Sequence, residues 1–490
     1  MICQPASWLV AAMMLAPSLG LAQTTRPLSF EEARAQLERS SDQIAASQAG
    51  ARASRAQADA LTRLHLPVIT LDAQAFEYQK SIDISLQPAK NAVGSAADGF
   101  IANLPGLLPN VPSDLTAAIQ SGLASKVQDA LALTPNTLDL QTRQSVLRPT
   151  ASAIMPLYTG GLISGAQSAA KAEAAGAEAQ AQATGDIALL RLIQAYFGQQ
   201  MAARLLTVSQ ETEASFAHHL DNARKIEAQG VIPKSQRLQA EVAYDSARRQ
   251  SLAAADAYQT ANETLALLLR EDGALTPTTP LFVSTAPLPP AQTFVEAGLE
   301  NQPELKRLKA LREAGQAGVK IAKSAMLPKA YAFASYNLNR DDAVIIDPDW
   351  IVGVGVHYTL FSNIDRGKTV TAARAKSEQA SAAVGAAQND LRVVIATAWR
   401  QVETARKQFL LLDTNIAAAT ENLRVQEIAF KEGEATASAV IDARTALSLA
   451  QTQKVTAAYA YDLALAQLLA ASGQIQTYGD HIARADKDVR

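Results

Sequence analysis

The sequence predicts a mixed α+β fold made of two tandem repeats, each with two β-strands and long coiled-coil helices. Three observations carry that expectation. The second half of the 490-residue chain restates the first at an offset of 203 residues: Gln194-Ala195-Tyr196 matches Thr397-Ala398-Trp399, Gly230 matches Gly433, Ala240 matches Ala443 and Tyr258 matches Tyr461. Two proline-free stretches, 164–229 and 368–432, place apolar residues at alternating steps of three and four. Short segments of strict alternation precede each of them.

The first repeat spans 28–273. It opens on a helix, 29–65, which Ser29 caps and Pro67 ends. Strands at 67–78 and 145–158 follow, separated by an insertion at about 80–140. A long helix, 164–229, then turns at 230–234 into a return helix that ends at 271. A linker, 274–292, is rich in Pro and Thr. The second repeat, 293–473, has a first helix capped by Thr293, strands at 329–339 and 350–361, a long helix at 368–432, a turn at 433–436 and a return helix to 472. Residues 474–490 read as a tail. Leu66-Pro67 matches Leu327-Pro328 at an offset of 261, so the first repeat holds 58 extra residues, and these fall in the insertion.

In the second long helix the seam is Leu391, Val394, Ala398, Val402, Ala405, Phe409, Leu412, Ile416, Ala419 and Leu423. At 1.5 Å per residue, each long helix is roughly 100 Å long. Each first helix is about as long as its return helix, so the two placed end to end could flank one long helix. Within the insertion, Leu115, Ile119, Leu123, Val127 and Leu131 recur every four residues and form one stripe. No matching stripe is evident for it to pack against.

Residues 1–22 read as a secretory leader, apolar from Trp8 to Leu21, with small residues before a cut after Ala22. The single cysteine, Cys3, falls inside it, so the mature chain is expected to lack disulfides and cysteine-based metal sites. A net charge of -3 gives no footprint for nucleic acid. No later apolar run is long enough for a membrane helix. A membrane crossing would therefore need strands in a closed barrel. Residues 350–360 fit that role: Trp350, Val352, Val354, Val356, Tyr358 and Leu360 share one face, with Gly353, Gly355, His357 and Thr359 on the other. Tyr78, Tyr158, Trp350 and Tyr358 are candidate membrane-interface aromatics, with Phe76, Tyr331, Phe333 and Tyr336 nearby in sequence. Four strands cannot close alone, because the smallest single-chain barrels have about eight. Two or three chains would have to contribute, and periodicity does not choose between them.

The duplicated Leu-Pro before a strand, the turn Pro156-Leu157-Tyr158-Thr159-Gly160-Gly161 and the segment Phe430-Lys431-Glu432-Gly433 followed by Val440-Ile441-Asp442-Ala443 resemble the TolC-like outer-membrane efflux family. The second repeat departs at the strand-to-helix turn, where Ser362-Asn363-Ile364-Asp365 stands. The resemblance covers nearly all of 28–473. It implies a homotrimer with a 12-stranded β-barrel in outer-membrane lipid, a helical periplasmic tunnel and a mixed α/β belt. It implies two partners, a periplasmic adaptor and an inner-membrane transporter, with no catalysis and no cofactor. Gly230, Val231, Gly433 and Glu434 then correspond to the adaptor-docking turns. Asp442 corresponds to an acid that rings the closed entrance. Family members with a salt bridge there carry charges where this chain has Gln236, Ala435 and Ala439; Arg237 could pair with Asp442 instead.

Two alternatives share parts of this pattern. A duct for type I protein secretion would have the same tunnel. A periplasmic coiled-coil adaptor or scaffold would lack two repeats with two strands each. His218 and His219 are adjacent on a helix and point about 100° apart, which is poor geometry for a shared metal. His65, His357 and His481 are isolated in sequence, and Gly353-Val354-Gly355 lacks the following helix that a dinucleotide site needs.

Overall fold

The computed structural model describes residues 26–108, 111–339 and 348–489. The leader lies outside them. In chain order the elements are β1 (Arg26–Leu28), α1 (Phe30–Ser40), α2 (Asp42–Ala60), β2 (Val68–Ser85), α3 (Gln87–Leu107), α4 (Ser113–Leu133), β3 (Thr137–Tyr158), α5 (Leu162–Ala228) and α6 (Lys234–Leu269). The second half continues with β4 (Leu275–Pro277), β5 (Leu281–Val283), α7 (Ala291–Asn301), α8 (Pro303–Ser324), β6 (Lys329–Asn337), β7 (Trp350–His357), α9 (Arg366–Lys431), α10 (Ala437–Ala471), α11 (Tyr478–Arg484) and β8 (Lys487–Val489). The described residues divide into two compact units: a helical one formed by 26–63, 161–326 and 361–489, and a second formed by 64–108, 111–160, 327–339 and 348–360.

In the helical unit the two long helices run 67 and 66 residues. Each begins with a different device. Gly160 and Gly161 precede α5 with φ of +63° and +92°, backbone that glycine adopts without strain. At α9 the glycine pair is replaced by Asp365, whose carboxylate accepts from the Lys368 amide at 2.9 Å. The seam of α9 is buried at Leu391, Ala398, Val402, Ala405, Phe409 and Leu423. Val394, expected there, is exposed, and its neighbour Ile395 is fully buried in its place. With Ile395 the buried positions from Leu391 to Phe409 step by four and three in strict alternation, so the heptad register itself selects Ile395 over Val394.

Neither first helix is continuous. Ser41 divides α1 from α2, and its hydroxyl accepts from the Ile44 amide at 3.3 Å. Gln302 divides α7 from α8, where Pro303 starts the new helix and the Gln302 side chain accepts from the Leu305 amide. Ser29 caps α1 in a full capping box with Glu32. Thr293, by contrast, lies inside the first turn of α7, whose cap is Pro290.

The linker and the tail are folded. β4 pairs in parallel with β1, and β5 pairs antiparallel with β8. They close over an aromatic core of Phe30, Tyr196, Phe197, Phe282, Tyr461 and Tyr478, each 0–1% exposed. Tyr196 Oη donates to the Leu28 carbonyl at 2.7 Å and accepts from the Thr278 and Thr279 amides. At the matching position of the other repeat, Trp399 Nε1 donates to the Pro289 carbonyl at 2.8 Å. The duplicated aromatic thus ties each long helix to the linker.

The second unit is a four-stranded antiparallel sheet in the order β2-β3-β6-β7, with β2 and β7 at its edges. Residues paired across the ladder share a face. On one face lie Trp350, Val352, Val354 and Val356, Ala330, Ala332, Ala334 and Tyr336, then Ala151, Ala153 and Met155, and Ile69 and Leu71. The four residues of β7 on this face are 63–70% exposed, an unusually bare apolar row. The opposite face carries Gly353, Gly355, Ser335, Ser152, Thr150, Arg148, Asp72 and Gln74. Tyr331 and Phe333 also lie there, with their rings over Gly355 and Gly353. No described helix is long and apolar enough to cross a membrane.

Two expectations change. β2 and β3 run well past 67–78 and 145–158 into the insertion. The insertion itself is a helical hairpin rather than one helix: Leu131 of the α4 stripe lies close to Gly94 of α3, while Leu115, Ile119 and Leu123 stay 37–55% exposed and Thr116 is the buried residue of α4.

Candidate functional site

The two turns singled out in the sequence come together in the helical unit. After α5, Gly230 takes φ +77°; the Val231 amide donates to the Ile226 carbonyl at 3.2 Å and the Gly230 amide to Glu227 at 2.8 Å. After α9, Gly433 takes φ +78°; the Glu434 amide donates to Ala429 at 2.8 Å and the Gly433 amide to Phe430 at 3.1 Å. Both are Schellman caps, a left-handed residue with the same pair of bonds closing the helix end. The return helices then start differently. Pro233 caps α6, and the Thr436 hydroxyl caps α10 by accepting from the Ala439 amide.

The caps are neighbours. A Cβ added to Gly433 would stand 3.9 Å from Val231 Cγ1. The Gln236 side-chain oxygen accepts from the Ala437 amide at 3.4 Å, a bond from one hairpin to the other. Beneath them Leu220, Ile232, Leu423, Phe430, Val440 and Leu447 form a separate apolar cluster. Ile232 sits in a turn, outside any helical period, so periodicity does not mark it as core.

Arg237 binds Glu227 at 2.8 Å and Glu241 at 2.6 Å and is largely covered. These acids hold the guanidinium that the sequence left available to Asp442. Asp442 is exposed, between buried Val440 and Ala443 on α10. A further ion pair, Arg444 to Glu427 at 2.7 Å, joins α10 to α9.

The two adjacent histidines diverge. His218 Nδ1 meets the Asn222 amide nitrogen at 3.0 Å, while His219 turns inward, its ring centroid 4.9 Å from that of Phe430. Both line a cleft of about 260 Å³ with Glu427, Lys431 and Arg444. His219 is 8% exposed, and its Nε2 has no hydrogen-bond partner. Burial depresses its pKa below the ordinary 6.5; Arg444 and His218 push the same way, and Glu427 opposes them. The neutral ring belongs to the folded state. Its contribution is complete above the unfolded value and is lost as pH falls below it through the folded value. The protection factors of amides at the two hairpin tips, which compare each exchange rate with the intrinsic rate at the same pH, are therefore expected to be lower at pH 5.5 than at pH 7.5. His219→Leu should flatten that dependence; an unchanged profile in this variant would assign the acid response to another group.

Among the interface aromatics, Trp350 and Tyr158 lie on the valine face. Tyr358 follows the end of β7 and is half exposed. Tyr78 does not join them. The register puts it beside Phe76 on the glycine face, with ring centroids 6.2 Å apart.

Residues 295–474 match the family model described as outer membrane efflux protein. Among curated proteins, none matches the chain by sequence. Solved structures match it nearly end to end. VceC from Vibrio cholerae is 15% identical with a TM-score of 0.67, covering 91% of this chain and 96% of its own. The Campylobacter jejuni CmeC outer membrane channel is 13% identical with a TM-score of 0.68, covering 93% and 90%. The Neisseria gonorrhoeae MtrE outer membrane channel, in its open state, is 16% identical with a TM-score of 0.67, covering 91% and 89%. The second repeat thus carries the sequence signature of outer membrane efflux proteins, and the chain as a whole shares the fold of these outer-membrane channels.

Proposed function

We propose that this protein is the outer-membrane channel of a tripartite efflux or export system, passing substrates from a periplasmic adaptor and an inner-membrane transporter to the outside. The observation that carries the reading is the open four-stranded sheet with one bare apolar face. Its edges, β2 and β7, present unpaired backbone groups that lipid does not tolerate. Three copies joined edge to edge make a closed barrel of twelve strands, with valines toward lipid and glycines and polar side chains toward the lumen. The helices then form the periplasmic tunnel, and the paired caps are its docking surface. Val231, 58% exposed, and Glu434 give the adaptor one apolar and one acidic contact. Asp442 from three copies rings the entrance and favours cations. Arg237 is committed to Glu227 and Glu241, so the ring keeps no counter-charge from that residue.

Native mass measurement in detergent and planar-bilayer recording test this together. The expected result is a mass of three chains and a cation-selective conductance that Asp442→Asn makes less selective. A folded monomer without conductance would overturn the channel reading. Unchanged selectivity in Asp442→Asn would place the constriction elsewhere.

A further inference from the structure

The hairpin of β2 and β3 reverses its amphipathic sense partway along. Up to Ala75 and Leu147 the valine face is apolar. Beyond that point the same face carries Glu77, Ser145, Arg143, Asp83 and Asp139, with Arg143 bound to Glu77 at 2.8 Å. The glycine face changes in the opposite direction. It is polar through Asp72, Gln74 and Arg148, passes the Phe76–Val146, Tyr78–Gln144 and Lys80–Thr142 pairs, and is apolar at its far end through Ile82, Ile84, Leu138 and Leu140. Those four side chains are 38–47% exposed. Over residues 76–85 and 137–146 the two strands pair with each other, past the end of the β3–β6 ladder. A two-stranded ribbon is marginal in water unless its apolar face is covered.

The ribbon ends in the hairpin of α3 and α4. Lys90 Nζ ties its base by donating to the Thr134 carbonyl and to Asn136 Oδ1, each at 2.8 Å. Gln120 Nε2 donates to the Ile101 carbonyl at 2.8 Å and holds the helices together. Between them they bury only Ile101, Leu104 and Thr116. Val93, Phe100 and Leu107 are 56–61% exposed and seven residues apart, a single seam at coiled-coil spacing on the outside of α3.

We infer that these ribbons and helical hairpins from three copies of this chain pack against one another and cap the outer mouth of the channel. The inference rests on the trimeric-barrel reading above. In that barrel the glycine face looks toward the three-fold axis. The apolar ribbon face continues it without a break, so it also points to the axis, where its neighbours are the two other copies. The charged face, with the Glu77–Arg143 pair, points to solvent. The α3 seam has the spacing needed to meet its equivalents as a short helical bundle. The insertion occurs in only one of the two repeats, so a trimer carries three such hairpins, one from each copy.

The test uses the full chain with Cys3→Ser and one new thiol. Phe100→Cys, oxidised or treated with a short bifunctional maleimide, is expected to give cross-linked species between chains. Asp139→Cys, on the charged ribbon face, is expected to give none. In single-channel recordings Phe100→Glu should raise conductance by about twofold or more, as opening an apolar constriction does. A preparation trimeric by native mass in which Phe100→Cys cross-links no better than Asp139→Cys would overturn the cap and leave the channel standing. Cross-links to a different protein would also overturn it. A monomeric preparation would overturn both readings.

Discussion

Gly433→Val is expected to abolish export while the protein still reaches the outer membrane and assembles. At φ +78° a β-branched residue is forced into left-handed backbone, which costs roughly 1–2 kcal/mol before any contact is made. The new Cβ would stand in ordinary contact with Val231 Cγ1 at 3.9 Å, so the strain lies in the backbone. Escape from the strain breaks the cap, and the Ala429 and Phe430 carbonyls lose their partners. That removes the surface on which the adaptor is proposed to dock. Gly230→Val should act the same way through backbone strain alone, because open space surrounds that glycine. Gly385→Ala, also in open space but inside α9, is the control and should be neutral. Drug or metal susceptibility of the host would be read beside surface-exposed trimer. Full export by both cap variants would remove the turns from the docking surface.

Val354→Arg is expected to prevent barrel assembly, whereas Ser335→Arg is tolerated. Both positions lie in the same paired ladder, on opposite faces. An arginine facing lipid near the bilayer centre costs about 2–4 kcal/mol, and a trimer would carry that cost three times. An arginine facing a water-filled lumen carries no such penalty. The folded fraction after insertion into vesicles, measured by gel mobility before and after heating, separates the two. Equal behaviour of the variants would mean that the valine face does not meet lipid.

The long helices were legible almost to the residue: 164–229 was expected and Leu162–Ala228 is observed. Their seams repeat for many turns, and glycine marks the C-terminal end of each. The strand ends were not legible, for a physical reason now visible. Alternation continues through Phe76, but the apolar residues change face there, and a change of phase reads as the end of a strand. The pairing of the linker and the tail was hidden because strands of three residues, such as Leu281–Val283, are too short to show a period. The break at Ser41 lies in a segment whose helical pattern continues across it, and its side-chain cap reveals it; at Gln302 the following Pro303 is the sequence sign of the break. At the candidate site the glycines were readable from the repeat. The partners of Arg237 were not, because Glu227 lies on the preceding helix, across the turn.

Both caps share one backbone geometry but differ in the residue that follows the glycine, Val231 in one and Glu434 in the other. A three-fold assembly of such chains therefore offers six sites of nearly identical shape and two chemical kinds, alternating around the ring. The arrangement is quasi-equivalent: sixfold in backbone, threefold in side chains. A partner that reads backbone shape would saturate at six per channel. One that reads the side chain would stop at three, so stoichiometry alone would tell which of the two the partner recognises.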